Sequence, residues 1–283
     1  MNNGVKEGSL LSPLLFVIFI DDLLRAVRLA GLGYAFEGSD GRPVWAGMFG
    51  YADDLAALPR SVEDAQAILR ICGDFAESHL CTFSHEKTVA MLMRPAPDLP
   101  TYPGEVALHL RRKRNAAGYW VEPLVWVTQY KYLGVLLHHS GSLATHVEKI
   151  VQPAVISKVA ALAASVITRD VLTPLLSMKM LDVDVLSYVR YSCALWGNGT
   201  PTAWGDPPLD EAIAAIARVI SRTLPGMMDA SYALCMSSTL LGAELNWQGM
   251  PYHYWRASLG LLRDVVRMAA NRLPRQVLWV RLQ

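Results

Sequence analysis

Two adjacent carboxylates, those of Asp53 and Asp54, lie in the segment GYADDLA, between two short apolar stretches. Neighbouring like charges repel each other, so the pair is unfavourable unless solvent or a cation compensates it. Magnesium and manganese ions prefer carboxylate oxygens, and Mg²⁺ completes its coordination with water and with the phosphate oxygens of a substrate. The pair is therefore a candidate metal site for phosphoryl chemistry. A solvated turn that binds nothing is the alternative.

The segments on either side of the acidic pair predict a β-hairpin. VWAGMFGY, at residues 44–51, predicts a short strand, and LAAL predicts the strand that returns. The two aspartates would then lie at the tip of the hairpin, where their carboxylates can meet solvent or a ligand.

Two predicted helices flank this hairpin in the sequence. Ser12 and Pro13 have the chemistry of a helix N-cap and first turn, and the helix that follows is expected to end near Gly31. Apolar positions surround most of this helix, which predicts that it is largely buried. Ser61 is predicted to cap a second helix, in which apolar residues recur at spacings of three and four and favour an amphipathic helix lying on a sheet.

The rest of the chain divides into two kinds of sequence. VAMLM (89–93) and YLGVLL (132–137) are further strand candidates, and the polar stretch between them contains the basic run LRRKRNAAGY. We interpret that run as a solvated loop, with phosphate contact as the alternative. From about Leu143 the chain becomes rich in Ala and Leu and favours helices. We therefore expect an α+β fold in two parts, residues 1–140 and 141–283.

Composition limits the class of protein without indicating a function. Lys and Arg number 26 and Asp and Glu 25, so no global charge demands a nucleic-acid partner. The four cysteines lack metal-binding spacing and suggest a reducing, intracellular environment, cytoplasmic or nuclear. The longest apolar run, residues 10–20, contains Pro13 and is too short to span a membrane, so no membrane partner is expected.

Four motifs, in this order, resemble the reverse transcriptases of non-LTR (LINE-type) retrotransposons. They are GVKEGSLLSPLLFVIFIDDLL at 4–24, FGYADDLA at 49–56, HEKT at 85–88 and YKYLGVLL at 130–137. VRYSCALWG at 189–197 and TLLGAELNWQGMP at 239–251 resemble the thumb of that family and the region beyond it. The resemblance implies a partial polymerase palm, with an antiparallel sheet and packed helices, followed by an all-helical thumb and connection region.

The resemblance also implies roles for individual residues. Asp53 and Asp54 would hold Mg²⁺ or Mn²⁺, and Lys87 would protonate the leaving pyrophosphate. Leu133 and Gly134 match the hairpin that grips the primer. The positions that would face the nucleotide and template are Glu7, Gly8, Ser9, Ser12, Pro13, Tyr51 and Ala52. The substrates would be an RNA template, a DNA primer and deoxynucleoside triphosphates. In the parent enzyme, two metal ions would assist attack of the primer 3′ hydroxyl on the α-phosphate.

Three departures from the family pattern change the expected activity. Glu7 stands where the family usually has Gln, and Ser84 stands where it usually has Asn. The first catalytic Asp of the family precedes the first motif, and we expect it, with the fingers, to lie upstream of Met1. The sequence therefore predicts a polymerase fragment that is inactive by itself. The alternatives are a non-catalytic nucleic-acid-binding or scaffold remnant, and an intron-encoded or bacterial reverse transcriptase.

Overall fold

The computed structural model of the protein describes residues 8–38, 41–93, 106–111, 121–168, 179–196, 250–269 and 272–282. These residues form two compact units. The first comprises the described residues up to Thr128 and from Arg267 onward, and the second runs from Gln129 to Val266. Helices and small sheets occur together, so the mixed α+β class predicted from the sequence is confirmed.

The bounds of the elements are as follows. The described helices are α1 (Ser12–Leu29), α2 (Val62–Ser78), α3 (Ala144–His146), α4 (Gln152–Thr168), α5 (Leu186–Arg190), α6 (Cys193–Trp196), α7 (Met250–Arg267) and α8 (Leu273–Leu282). Two π-helical segments, Val147–Val151 and Leu181–Val185, lead into α4 and α5. The described strands are β1 (Ala35–Glu37), β2 (Pro43–Trp45), β3 (Met48–Tyr51), β4 (Asp54–Ala57), β5 (Val89–Ala90), β6 (His109–Arg111), β7 (Val121–Pro123), β8 (Val125–Trp126), β9 (Gln129–Tyr132) and β10 (Val135–His138).

Within the described part of the chain, the strands pair two by two. The ladders β1·β2, β3·β4, β6·β7 and β9·β10 are antiparallel, and β5·β8 is parallel. The single strand predicted for 44–51 is wrong, because Ala46 and Gly47 separate β2 from β3. The single strand predicted for 132–137 is also wrong, because Leu133 and Gly134 form the turn between β9 and β10. Of the strand predicted at 89–93, β5 contains only the first two residues.

The first unit is built around one apolar cluster to which α1, α2 and several strands contribute. Its buried members are Leu23, Val27, Met48, Ile68, Cys72, Phe75, Leu108, Leu110 and Leu124. Burial of such side chains contributes about 1.5 to 3 kcal/mol each. Burial also raises the pKa of the Cys72 thiol to about 12, so this cysteine is an unreactive core residue. Ser61 caps α2 as predicted, and its hydroxyl accepts a hydrogen bond from the Asp64 N–H at 3.2 Å.

Helix α1 differs from its prediction in two respects. Leu11 occupies the N-cap position without a side-chain cap, and Ser12 is the first helical residue. Only Leu23 and Val27, in the second half of the helix, are buried, while the first half and the residues before it expose Leu10, Leu11, Leu14, Leu15, Val17 and Ile18. Apolar periodicity predicts burial only where neighbouring elements supply cover, and local sequence does not contain that information. None of the described helices, α1 included, is long and apolar enough to cross a membrane.

In the second unit, the β9–β10 hairpin packs against α3. The N–H of Leu136 donates to Nδ1 of His146 at 3.2 Å. His146 is only 1% exposed, and its burial, followed by the charge of Lys131, lowers the pKa of its imidazole. A neutral imidazole therefore connects the strand to the helix, because the accepting nitrogen must be unprotonated.

Candidate metal and nucleic-acid site

Asp53 and Asp54 lie at the tip of the hairpin that the sequence predicts. Tyr51 of β3 pairs with Asp54 of β4, so Ala52 and Asp53 form a two-residue loop. Ala52 has φ +50°, a left-handed conformation that a two-residue hairpin loop requires but that an L residue rarely adopts. Both aspartates are exposed. The turn thus presents two adjacent carboxylates to solvent.

The two faces of this hairpin have different roles. Residues directly opposite each other in a ladder share a face, and successive residues alternate. Met48, Gly50 and Leu55 lie on the face that packs on the apolar cluster, and a Cβ at Gly50 would lie 3.8 Å from Leu24 of α1. Tyr51 and Asp54 therefore project from the opposite face. The hairpin uses one face for packing and leaves the Asp54 carboxylate free of the core.

Backbone hydrogen bonds fasten the open end of the hairpin to the segment before β1. Leu58, which follows β4, donates its N–H to the Gly47 carbonyl at 2.8 Å, and its own carbonyl accepts the N–H of Tyr34 at 2.8 Å. At the same place the backbones of Gly33 and Gly47 approach so closely that a Cβ at Gly33 would lie 2.4 Å from the Gly47 Cα. Only glycine allows this contact, which sets where the hairpin begins.

The carboxylate of Asp64 holds the segment before β1 in place. The sequence did not predict this role. Its carboxylate is only 7% exposed and accepts the N–H groups of Gly33 and Arg60, each at 2.9 Å. The Arg60 guanidinium lies 3.5 Å from the same oxygen and donates to the Gly31 carbonyl. The spacing of Ser61 and Asp64 resembles a capping box and could have drawn attention to Asp64. Its long-range bond to Gly33 has no local signal.

The carboxylates of the turn suit hard divalent cations, which bind oxygen ligands. Among the described residues, no group of three or more His, Cys, Asp and Glu side chains could together hold a metal ion. Asp53 and Asp54 would thus act as the protein ligands of an ion that completes its coordination with water and substrate oxygens. Mg²⁺ commonly binds in this way.

Residues 1–137, which contain this hairpin, match the family model described as reverse transcriptase (RNA-dependent DNA polymerase). This region matches a reverse transcriptase. The match supports an RNA-directed DNA polymerase, a class of enzyme that uses a nucleic-acid template and nucleotide substrates. No similar curated protein and no similar solved structure was found.

Within the reverse transcriptase match, the residues expected to face nucleotide and template lie at the start of α1 and in the hairpin turn. Gly8 has φ +76° and open space where a Cβ would be, so its left-handed conformation accounts for the glycine. The Ser9 carbonyl accepts the N–H of Ser12 at 3.3 Å, and Pro13 lies in the first turn of α1. Leu24, which faces β3, follows Ser12 by about 18 Å along the helix axis. Glu7 lies outside the described residues.

Lys87 lies in the turn that connects α2 to β5, and its side chain is exposed. The turn is closed by Thr88, whose N–H and hydroxyl both donate to the Ser84 carbonyl, at 3.0 and 2.6 Å. His85 contacts the Pro123 carbonyl at 3.1 Å and so ties the turn to β7. Ser84, where the reverse transcriptase family usually has Asn, therefore contributes its backbone to this turn.

Leu133 and Gly134 belong to the second unit and form the turn between β9 and β10. Both are left-handed, with φ +46° and +82°. Such a pair of positive φ angles is typical of a type I′ turn, which matches the twist of the strands. The predicted primer-contacting residues are thus at the tip of their own hairpin.

The basic run contributes one described basic residue, Arg111, at the end of β6. Its guanidinium binds the carboxylates of Asp74 and Glu77 on α2. Its stem packs on Gly73, where a Cβ would lie 3.1 Å from the Arg111 Cβ. Arg111 therefore joins β6 to α2 instead of lying in a solvated loop. Arg112, Lys113 and Arg114 lie outside the described residues.

Proposed function

We propose that this chain is the back half of the palm, with the thumb and connecting helices, of an RNA-directed DNA polymerase of the non-LTR retrotransposon type. The observation that carries the proposal is the adjacent pair Asp53 and Asp54, in the loop and at the start of β4, exposed at the tip of a packed hairpin inside the region that matches reverse transcriptases. The motifs at 189–197 and 239–251 favour the non-LTR type over an intron-encoded or bacterial enzyme. Such an enzyme would act where RNA and DNA meet, in the cytoplasm or nucleus.

In this proposal Asp53 and Asp54 hold Mg²⁺ or Mn²⁺. In the parent enzyme, two divalent ions would supply the charge that stabilises the attacking and leaving oxygens of nucleotidyl transfer. Other residues of the chain position the substrates and transfer a proton. Tyr51 and Ala52 set the turn beside the primer end, and Lys87 carries the proton for the leaving pyrophosphate. Gly8, Ser9, Ser12 and Pro13 face the incoming nucleotide and the template.

Divalent-cation binding by the purified chain tests the metal site. Asp53→Asn and Asp54→Asn are each expected to weaken Mn²⁺ binding about tenfold, since each removes one charged ligand. The paramagnetic resonance signal of free Mn²⁺ reports the bound fraction directly. A matched control exists in the chain, because Asp21 and Asp22 form a second adjacent acidic pair on α1, and Asp21 is paired with Arg25 at 2.5 Å. Asp22→Asn should leave binding unchanged.

Nucleic-acid binding separates this proposal from the non-catalytic alternative. The chain should bind a DNA primer annealed to an RNA template, and the affinity should rise with Mg²⁺ in the unmodified chain but not in Asp53→Asn. A scaffold remnant would bind the same duplex with no dependence on Asp53.

Equal losses of Mn²⁺ binding in Asp22→Asn and Asp53→Asn would contradict the metal site.

A further inference from the structure

Tyr191, the residue that follows helix α5, covers the turn of Leu133 and Gly134. The hydroxyl of Tyr191 donates to the Leu133 carbonyl, across 58 residues of chain. The ring lies against Gly134, where a Cβ would be 2.9 Å from the ring carbon Cε1 and 3.0 Å from the hydroxyl. Tyr191 is 53% exposed. It is therefore a surface side chain that contacts the tip of the hairpin.

The turn combines a left-handed leucine with a contact from outside the hairpin. Leu133 is left-handed, which is unfavourable for an L residue with a branched side chain. A hydrogen bond to the Leu133 carbonyl favours the one orientation of that peptide that points at the tyrosine hydroxyl. The ring also excludes any side chain at position 134. Tyr191 thus contacts both residues of the turn from outside the hairpin.

Tyr191 is itself held on both sides. Its N–H donates to the Ser187 carbonyl at 3.0 Å, which closes the end of α5. The next residue, Ser192, has φ +55° and redirects the chain into α6. Cys193 is buried, and its thiol lies 3.6 Å from the His253 carbonyl of α7. The position of the tyrosine ring is therefore set by the helical core of the second unit.

We propose that Tyr191 is a positioning residue that holds the Leu133–Gly134 turn in the conformation that contacts the 3′ end of a DNA primer. The inference rests on the proposed function, because it takes this turn to be the primer-contacting hairpin. It adds a residue of the motif VRYSCALWG to that site and couples the placement of the primer terminus to the helices α5, α6 and α7.

The full 283-residue chain is tested with a DNA primer annealed to a longer RNA template and carrying 2-aminopurine at its 3′ terminus. Tyr191→Phe removes the hydrogen bond to Leu133 and keeps the ring. We expect its dissociation constant to rise about threefold to tenfold, the range that loss of one hydrogen bond produces. At saturating protein, the emission of the terminal 2-aminopurine should also differ from that of the unmodified complex.

The matched control is Tyr188→Phe. Tyr188 lies three residues earlier, on α5, and its ring faces the Lys158 ammonium at 6.0 Å. This variant removes a tyrosine hydroxyl from the same helix and should change neither the affinity nor the emission. Amide hydrogen exchange in the free chain gives a second measurement. Exchange within residues 129–138 should be faster in Tyr191→Phe, with the rest of the chain unchanged.

Three results would overturn the proposal, and they are distinguishable. If the unmodified chain prefers the recessed primer no more than a blunt duplex, both the proposed function and the role of Tyr191 fail. If it does prefer the recessed primer and Tyr191→Phe behaves like Tyr188→Phe, only the role of Tyr191 fails. If exchange rises evenly over the whole chain in Tyr191→Phe, the tyrosine contributes general stability and does not position the turn.

Discussion

Asp64 and Gly33 are joined by a hydrogen bond of 2.9 Å that spans 31 residues of chain. The bond connects the first turn of α2 with the segment on which the open end of the Asp53–Asp54 hairpin rests. The carboxylate of Asp64 also accepts a hydrogen bond from the backbone N–H of Arg60. One buried side chain thus fixes the base of the hairpin whose tip carries the candidate metal ligands.

We predict that Asp64→Ala lowers the free energy of unfolding by about 2 to 4 kcal/mol, because two backbone N–H groups lose a charged acceptor. Asp64→Asn keeps one accepting oxygen and should lose less. Urea denaturation followed by circular dichroism measures both. Glu86→Ala, at an exposed acidic residue of the same unit, is the control and should leave the midpoint unchanged. A loss no larger than that of the control would mean that water replaces the carboxylate.

Alanine substitutions at Gly134 and Gly141, both in the second unit, distinguish the cost of backbone strain from the effect of the contact with Tyr191. Gly134 and Gly141 have almost the same φ, +82° and +80°, but only Gly134 has a neighbour within 4 Å of an added Cβ. Gly141→Ala should cost about 1 kcal/mol, the price of a left-handed alanine. Gly134→Ala should cost about 1 kcal/mol more, because the new methyl group displaces the Tyr191 hydroxyl from Leu133. Equal losses in denaturant titrations would show that the ring moves aside freely.

The lowered pKa of the buried His146 imidazole predicts how the stability of the second unit depends on pH. Burial, and then the charge of Lys131, lowers the pKa of the folded imidazole below its usual value of 6.5. The unfolded chain therefore takes up a proton first as the pH falls. The contribution of His146 is fully present above about pH 6.5 and is lost as the pH decreases toward the folded pKa.

His146→Asn should weaken this pH dependence. The Asn oxygen can accept the Leu136 N–H without titrating, so the loss of stability between pH 7 and pH 5 should become smaller. Thermal denaturation at a series of pH values is the measurement. An unaltered profile in His146→Asn would assign the titration to other groups.

The isolated chain is predicted to show no templated DNA synthesis with Mg²⁺ or Mn²⁺. Two-metal catalysis needs a carboxylate that bridges both ions, and among the described residues no third carboxylate lies with Asp53 and Asp54 to share the second ion. Primer extension on an RNA template tests this, with Asp53→Asn as the background. Extension above that background would show that the chain assembles a complete site.

Local signals predicted the parts of the fold that depend on neighbouring residues. The cap at Ser61 and the spacing of three and four located α2 correctly. The alternation around Asp53 located the hairpin tip, since the turn is formed by residues adjacent in sequence. The exposure of the acidic pair could be predicted for the same reason, because both carboxylates come from one hairpin tip, while its binding of metal ions stays a prediction.

The errors arose where a distant segment decides the structure. The break between β2 and β3 depends on the approach of Gly33 to Gly47. The exposure of Leu14 and Ile18 on α1 depends on which elements cover the helix. Tyr191 was part of a recognised motif, but its contact with Leu133 crosses 58 residues and leaves no periodicity in the sequence. Non-local contacts of this kind have no signature in composition or spacing.

The fixed register of the Asp53–Asp54 hairpin has a consequence for how this segment can vary between related genes. Tyr51 faces Asp54 across a loop of only two residues, and Leu58 and Gly47 close the other end. A shift of one position would turn every side chain of a strand to the opposite face. An insertion or deletion of one codon within a strand here would therefore move Met48 out of the core and Asp54 into it. We expect natural relatives to share the length of this hairpin.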